Sequence, residues 1–202
     1  MLAAWGITVE GKKVLLHLVP GTKEDTASCR EFYQGMRRRG LKEPLLAVTD
    51  GAPTLIRATE ECAPRTARQR CLAHKIATCR ARCRSRWPEF KACAIACYQA
   101  ASPVLARLLR NQVVETYGCE LASAVACFQD DFEACIAHLK FLLAHRRAIL
   151  TTNLLERPFG EERRRTTVIP HAFGERAVLK LMYGALVRAA ERWRAPRVTE
   201  FE

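Results

Sequence analysis

The sequence predicts a mixed α/β fold that contains a helical block. Short apolar runs typical of strands alternate with helical patterns over the first third of the chain. Between residues 75 and 148, apolar residues recur only at helical spacing, and a further helical pattern closes the chain. We therefore predict an α/β core over residues 1–74, a helical insertion over 75–148, and a C-terminal segment over 149–202 that belongs to the core.

The core begins with a predicted β-hairpin. Two apolar runs, LAAWGITV and KKVLLHLV, are joined by Glu10 and Gly11, a pair typical of tight turns. The stretch DTASCREFYQGMRRRG predicts a helix with Asp25 or Thr26 at its N-cap and Gly40 at its end. Its apolar stripe is formed by Cys29, Phe32, Tyr33 and Met36.

A short buried strand is predicted in PLLAVTDGAP, where it ends at Asp50 and the following Gly51 and Pro53 turn the chain. Next, TLIRATEECAP predicts a helix, and ARQRCLAH forms a short connecting segment. Apolar side chains at helical spacing mark the helical block: Val104, Leu105, Leu108, Leu109, Leu121, Val125, Phe128, Phe132, Cys135, Ile136 and Leu139. The last helix has a comparable stripe of Val178, Met182, Ala185, Leu186, Ala189 and Trp193.

The charge balance favours a polyanionic partner. Lysine and arginine number 33 against 21 acidic residues, which gives a formal charge of +12 and a pI near 9.5. Nucleic acid is the simplest such partner, although an anionic membrane surface or solubility alone would explain the same excess. We expect neither a signal peptide nor a membrane helix, so the ten cysteines are expected to be reduced thiols of a cytoplasmic protein.

Two acidic residues are placed for metal chemistry. Asp50 ends a buried strand, and ligands in α/β sheets collect at the carboxyl ends of strands, but the same side chain could cap the following turn. Glu156 lies three residues after Asn153, so the two fit a capping box in which the carboxylate also suits the helix dipole. Position alone leaves a structural and a catalytic role open for each acid.

Cysteine, histidine and arginine residues lie near these acids. Cys71 and His74 have the spacing of half a zinc site, but without a recognisable second half their default role is structural. Arginines cluster around this pair and again after Glu156. Because arginine forks match phosphate geometry, we predict DNA contacts from both clusters, with a solvated basic face as the alternative. The predicted contacts are Arg68, Arg70, Arg157, Arg163, Arg164 and Arg165.

Taken together, these stretches resemble the mutator-type transposases of bacterial insertion sequences. The first matching block is LLAVTDGAPTLIRATEECAPRTARQRCLAHK. The second is DDFEACIAHLKFLLAHRRAILTTNLLERPFGEERRRTTVIPHAFGERAVLKLMYGALVRAAERW. The resemblance extends over essentially the whole chain, and it depends on the order and spacing of these blocks.

The resemblance implies an RNase H-like core with an all-helical insertion before its final acidic helix. It also implies that two aspartates and one glutamate bind Mg²⁺ or Mn²⁺ for cleavage and transfer of double-stranded DNA at transposon ends. Asp50 matches the second aspartate and Glu156 the glutamate, so both are expected to be catalytic metal ligands. Cys71 and His74 match a supporting Cys-x-x-His signature. Family members act as multimers, which implies a homo-oligomer.

This chain departs from the family at one catalytic position. The first aspartate of the family lies on a strand just upstream of the segment that matches LAAWGITVEGKKVLL, where this sequence begins. We therefore expect an incomplete core without its first strand and third metal ligand, and an inactive chain. The alternatives are a non-catalytic DNA-binding remnant or regulator of transposition, and a zinc-stabilised nucleic-acid-binding module.

Overall fold

The computed structural model of the chain describes residues 2–19, 25–83, 85–150 and 152, together with six helical positions between 180 and 188. The described part combines α-helices with short β-strands, which confirms the predicted mixed α/β class. Two compact units are present. The first contains Met1–Pro44 and Pro53–Arg65 with the described C-terminal positions, and the second contains Leu45–Ala52 and Thr66–Thr152.

The predicted hairpin opens the first unit. Strands β1 (Leu2–Ile7) and β2 (Lys13–Val19) pair in antiparallel fashion. Thr8 closes the turn, because its hydroxyl accepts a hydrogen bond from Lys12 N at 3.1 Å and its carbonyl accepts one from Gly11 N at 2.8 Å. Gly11 has a φ of +76°, a left-handed conformation that glycine adopts without strain, so the turn needs this residue.

Helix α1 (Thr26–Arg38) also begins as predicted. Asp25 is its N-cap, since the carboxylate accepts a hydrogen bond at 2.7 Å from the backbone N–H three residues further on. The helix packs against α2 (Pro53–Cys62), where the hydroxyl oxygens of Tyr33 and Thr59 lie 2.6 Å apart. The buried stripe of α1 contains Cys29, Phe32 and Met36.

The second unit contains a parallel pair of strands, β3 (Leu46–Thr49) and β4 (Ala67–Arg70). The sequence predicts β3 but not β4, because the residues ARQR offer no apolar run. Polar contacts position β4 instead, and the side chain of Gln69 at its centre is completely buried. The ends of the two strands coincide, with Thr49 opposite Arg70.

The remainder of the second unit is helical throughout its described residues, as predicted for this stretch. A 3-10 helix (Ala137–Lys140) lies between the last two α-helices. The six α-helices are α3 (Leu72–Arg82), α4 (Trp87–Tyr98), α5 (Pro103–Tyr117), α6 (Ala122–Gln129), α7 (Phe132–Cys135) and α8 (Leu143–Ile149).

An aromatic core holds these helices together. Phe90 and Phe128 are completely buried, with ring centroids 6.0 Å apart and planes at 79°. Phe128 also meets Phe132 edge to face, at 5.4 Å and 71°. Such edge-to-face pairs add to the stabilisation that area burial alone provides. The predicted stripe is buried here as expected: Leu121, Val125, Phe128, Phe132, Cys135, Ile136 and Leu139.

The predicted stripe of α5 is wrong. Val104, Leu105 and Leu108 recur at helical spacing, yet they are 64, 41 and 57% exposed. Two neighbouring faces of α5 carry apolar residues, and periodicity alone cannot choose between them. The face that packs inward contains Ala106, Val113 and Tyr117.

Two further observations concern the rest of the chain. Leu186, from the predicted stripe of the last helix, is buried, and the described positions around it are helical. No helix among the described residues is long and apolar enough to cross a membrane. The RNase H-like core and the division near residues 74 and 148 stay predictions, since most of the C-terminal segment lies outside the described residues.

Candidate active site

Asp50 lies directly after β3, at the carboxyl end of the parallel strand pair, and is exposed. Its Oδ1 accepts a hydrogen bond from Ala52 N at 3.0 Å, which is the turn-capping contact that the sequence allows. The other carboxylate oxygen has no hydrogen bond to any described residue. The capping role therefore leaves one oxygen of an exposed carboxylate available to a ligand.

The turn after Asp50 is shaped by a neighbouring arginine. Gly51 has a φ of +93°, and a Cβ at this position would lie 2.5 Å from Nε of Arg70. Both observations require glycine, since a side chain would be strained and would overlap the guanidinium. Arg70 thus lies against the turn that carries Asp50, at the equivalent end of β4.

Arg68 and Arg70 are engaged by two adjacent aspartates. Arg68 binds Asp131 through both guanidinium nitrogens, each at 2.5 Å from a carboxylate oxygen. Nη1 of Arg70 lies 2.8 Å from Oδ2 of Asp130 and 3.7 Å from Oδ2 of Asp131. The DNA contacts expected of these arginines stay predictions, and the structure adds a role that links β4 to the helices.

A buried lysine completes this ion-pair cluster. Lys75 is completely buried in α3, where its Nζ donates to the carbonyl of Asp130 and lies 3.7 Å from Oδ2 of the same residue. Hydrogen bonding from Arg70 lowers the pKa of Asp130 below its usual range, and Lys75 contributes in the same direction. The carboxylate is therefore held in its charged form.

A second polar network is centred on Gln69. Its Oε1 accepts a hydrogen bond from His138 N at 2.8 Å, while its Nε2 donates to the carbonyls of Arg70 and Cys135 at 2.7 and 3.1 Å. Nε2 of His138 lies 2.9 Å from the carbonyl oxygen of Tyr98. Gln69 and His138 thus supply the contacts that a short polar strand requires in a buried position.

Cys71 and His74 lie together at the beginning of α3. Sγ of Cys71 is 3.1 Å from Nδ1 of His74 and accepts hydrogen bonds from N and Oγ1 of Thr152, each at 3.3 Å. Burial alone would raise the pKa of Cys71, but the hydrogen bonds from Thr152 and His74 outweigh it and lower the pKa. Thr152 was not anticipated from the sequence, because it lies some 80 positions from its partner.

The remaining predicted site residues cannot be placed. Glu156, Arg157 and Arg163 to Arg165 lie outside the described residues. Among the residues that the structure describes, no group of three or more histidine, cysteine, aspartate or glutamate side chains is arranged to hold a metal ion. The sequence-based search also missed Asp130 and Asp131, although two adjacent aspartates at a helix junction were a visible signal.

Comparison with known proteins adds the family. The description "Transposase, Mutator family" fits residues 1–196. The transposase for insertion sequence element IST2 of Acidithiobacillus ferrooxidans is 33% identical over 195 residues, which cover 96% of this chain and 66% of that protein. The transposase for IS6120 of Mycolicibacterium smegmatis is 31% identical over 196 residues, which cover 96% of this chain and 61% of that protein.

More distant relatives are consistent with these two. The transposase for IS256 in transposon Tn4001 of Staphylococcus aureus is 24% identical over 195 residues, which cover 94% of this chain and 49% of that protein. The chain therefore spans between about half and two thirds of the length of these relatives. Because the family match extends over nearly every residue, the chain belongs to the Mutator family of transposases.

Proposed function

We propose that this chain carries catalytic residues of a transposase that cleaves and transfers DNA strands at the ends of an insertion sequence, with divalent metal ions. The observation that carries the proposal is Asp50, an exposed carboxylate at the carboxyl end of β3 with an oxygen available to a ligand. The named relatives are transposases for insertion sequence elements. Family resemblance supplies Glu156 as the second acid.

The donor chemistry of these residues fits Mg²⁺ or Mn²⁺. Both ions prefer oxygen ligands, and Asp50 and Glu156 would each offer carboxylate oxygens. When bound, such ions activate an attacking hydroxyl and stabilise the leaving oxygen of a phosphodiester. The hydrogen bond from Ala52 N holds the Asp50 carboxylate in one orientation, while Arg70 lies against the next residue, Gly51. A positive charge at this point suits an approaching phosphate.

The arginines would supply affinity for DNA without reading its sequence. A formal charge of +12 favours a polyanion, and phosphate contacts position the duplex. We propose Arg157 and Arg163 to Arg165 as the main backbone contacts, with Arg68 and Arg70 contributing beside Asp50. An RNase H-like core with a helical insertion, and action as a homo-oligomer on double-stranded DNA, belong to the same proposal.

Metal binding tests the catalytic assignment directly. Mn²⁺ binding to the 202-residue chain is measured by calorimetry, with Asp50→Asn and Glu156→Gln as site variants. Glu115→Gln on the exposed surface of α5 is the control, because it removes the same charge elsewhere. We expect the two site variants to lose Mn²⁺ binding and the control to keep it. Equal Mn²⁺ binding by all four proteins would contradict the proposed ligands.

The charge excess also favours a second candidate, a non-catalytic DNA-binding protein that regulates transposition. The two functions differ in what Mn²⁺ does to a bound duplex. A transposase would nick a duplex that carries the element's terminal sequence, whereas a regulator would bind the duplex and leave it intact. A gel assay of binding and nicking, with the Asp50→Asn variant alongside, separates the two outcomes.

A further inference from the structure

The cluster of Cys71, His74 and Thr152 is not used by the proposed chemistry. Cys71 is completely buried, and three of its contacts converge on one sulfur atom: Nδ1 of His74 at 3.1 Å, and N and Oγ1 of Thr152 at 3.3 Å each. Oγ1 of Thr152 also lies 3.4 Å from Nδ1 of His74. A single buried thiol therefore serves as the acceptor for a segment some 80 residues away in sequence.

Backbone hydrogen bonds extend this contact in both directions. Cys71 N donates to the carbonyl of Thr49 at 2.7 Å, and Thr49 is the residue before Asp50. Leu72 N donates to the carbonyl of Leu150 at 3.0 Å. Residues 71 and 72 thus join the end of β3 on one side to the segment around Thr152 on the other.

We propose that Cys71, supported by His74, is a positioning residue of the transposase: it anchors Thr152 beside the strand that carries Asp50. This inference rests on the proposed function, because it matters for Glu156. Glu156 follows Thr152 by four residues, a stretch that spans at most about 14 Å when fully extended. Fixing Thr152 therefore limits how far Glu156 can lie from the end of β3.

The chemistry of the cluster favours an anchor over a metal site. Cys71 and His74 provide two metal-binding side chains, and within the described residues no third histidine, cysteine, aspartate or glutamate completes a set. The hydroxyl and amide of Thr152 are hydrogen-bond donors, and both reach the sulfur. Replacing the thiol with a methyl group would leave both donors without this acceptor, a costly change in a half-buried position.

The anchor is tested by amide hydrogen exchange in the intact 202-residue chain. Cys71→Ala should accelerate exchange of the Thr152 amide by about tenfold, since one lost hydrogen bond to a buried acceptor has an effect of this size. Cys71→Ser retains an acceptor and should restore most of the protection. Cys97→Ala is the matched control, because Cys97 is equally buried but packs in the aromatic core of the helices.

The positioning role is tested by the affinity of the same variants for Mn²⁺. We expect Cys71→Ala to weaken Mn²⁺ binding by about tenfold, in line with the loosened anchor, and Cys71→Ser to rescue it. Thr152→Val removes the hydroxyl donor but keeps the amide, so it should have a smaller effect in the same direction. This second variant keeps the test valid if Cys71→Ala does not fold.

Each outcome decides something different. Unchanged exchange at Thr152 in Cys71→Ala and Thr152→Val would overturn the anchor itself. Faster exchange with unchanged Mn²⁺ affinity would overturn the positioning role and leave a contact that only stabilises the fold. Absence of Mn²⁺ binding by the unmodified chain would instead overturn the metal site of the proposed function, and the positioning role with it.

Discussion

The second unit is held together in two different ways. Among its helices, aromatic rings such as Phe90 and Phe128 pack edge to face in an apolar core. Around β4, buried polar side chains such as Gln69, Lys75 and His138 make hydrogen bonds to carbonyl groups. Both regions exclude water, yet the first depends on shape and the second on partners.

This difference determines how each region tolerates change. An apolar core relaxes around a substitution of similar volume, and the loss is usually small. A buried polar group that loses its partner keeps the full penalty of having left water. The polar region around β4 lies next to Asp50, so the part of the unit that is least tolerant of change also positions the candidate site.

The largest expected effect is at the ion pair between Arg68 and Asp131, whose side chains are each only 16% exposed. Asp131→Asn keeps the shape and the left-handed backbone but removes the charge that Arg68 pairs with. We expect a loss of about 3 kcal/mol in the free energy of unfolding, because an uncompensated charge stays nearly buried. Urea unfolding followed by circular dichroism measures the loss.

A matched pair on the surface provides the control. Arg107 and Glu133 form an equivalent two-pronged contact, but their side chains are 42 and 59% exposed. Glu133→Gln should therefore cost at most about 0.5 kcal/mol, because solvent screens an exposed pair. Equal losses in the two variants would show that burial does not distinguish the two ion pairs.

The contrast also explains which features could be predicted from the sequence. The hairpin, α1 and the stripe that includes Phe128 and Leu139 follow local rules of turn chemistry, capping and periodicity. Strand β4 escaped prediction, because its stability comes from contacts with Cys135 and His138, more than 60 residues away. Local rules carry no information on such partners.

The candidate site divides in the same way. Asp50 could be proposed from its place between a buried strand and a glycine turn, and the structure shows it there with its capping hydrogen bond. The contacts of Cys71 with Thr152 could not be proposed, because no spacing rule connects positions so far apart. Family resemblance supplied Glu156, whose role stays a prediction.

The second prediction concerns pH and the buried His138. Burial lowers its pKa, and the nearby Arg146 acts in the same direction, although contacts with two backbone carbonyls oppose the shift. The unfolded chain therefore takes up the proton at a higher pH than the folded chain does. The contribution of neutral His138 is complete above about pH 6.5 and is lost as the pH falls toward the lower folded pKa.

Urea unfolding at several pH values between about 5 and 7 measures this dependence. His138→Gln should be less stable at neutral pH but should show a shallower fall in stability with decreasing pH. His17 provides an internal comparison in the first unit, since burial and the charges of Arg39 and Arg38 also lower its pKa. His17→Gln should remove a separate part of the same slope. An unchanged slope in His138→Gln would show that the folded protein accommodates the charged ring.

The smallest expected effect is on the exposed face of α5. Leu108 shares the helical spacing that predicts a core position, yet it is 57% exposed, whereas Leu139 is 4% exposed. Leu108→Ser should change the free energy of unfolding by less than about 0.5 kcal/mol, as surface substitutions usually do. Leu139→Ser, the same chemical change inside the core, should cost about 3 kcal/mol or more, because it removes buried apolar area and leaves a cavity. A large loss in Leu108→Ser would mean that this face is covered in solution, and the spacing in the sequence would then have identified a real contact surface.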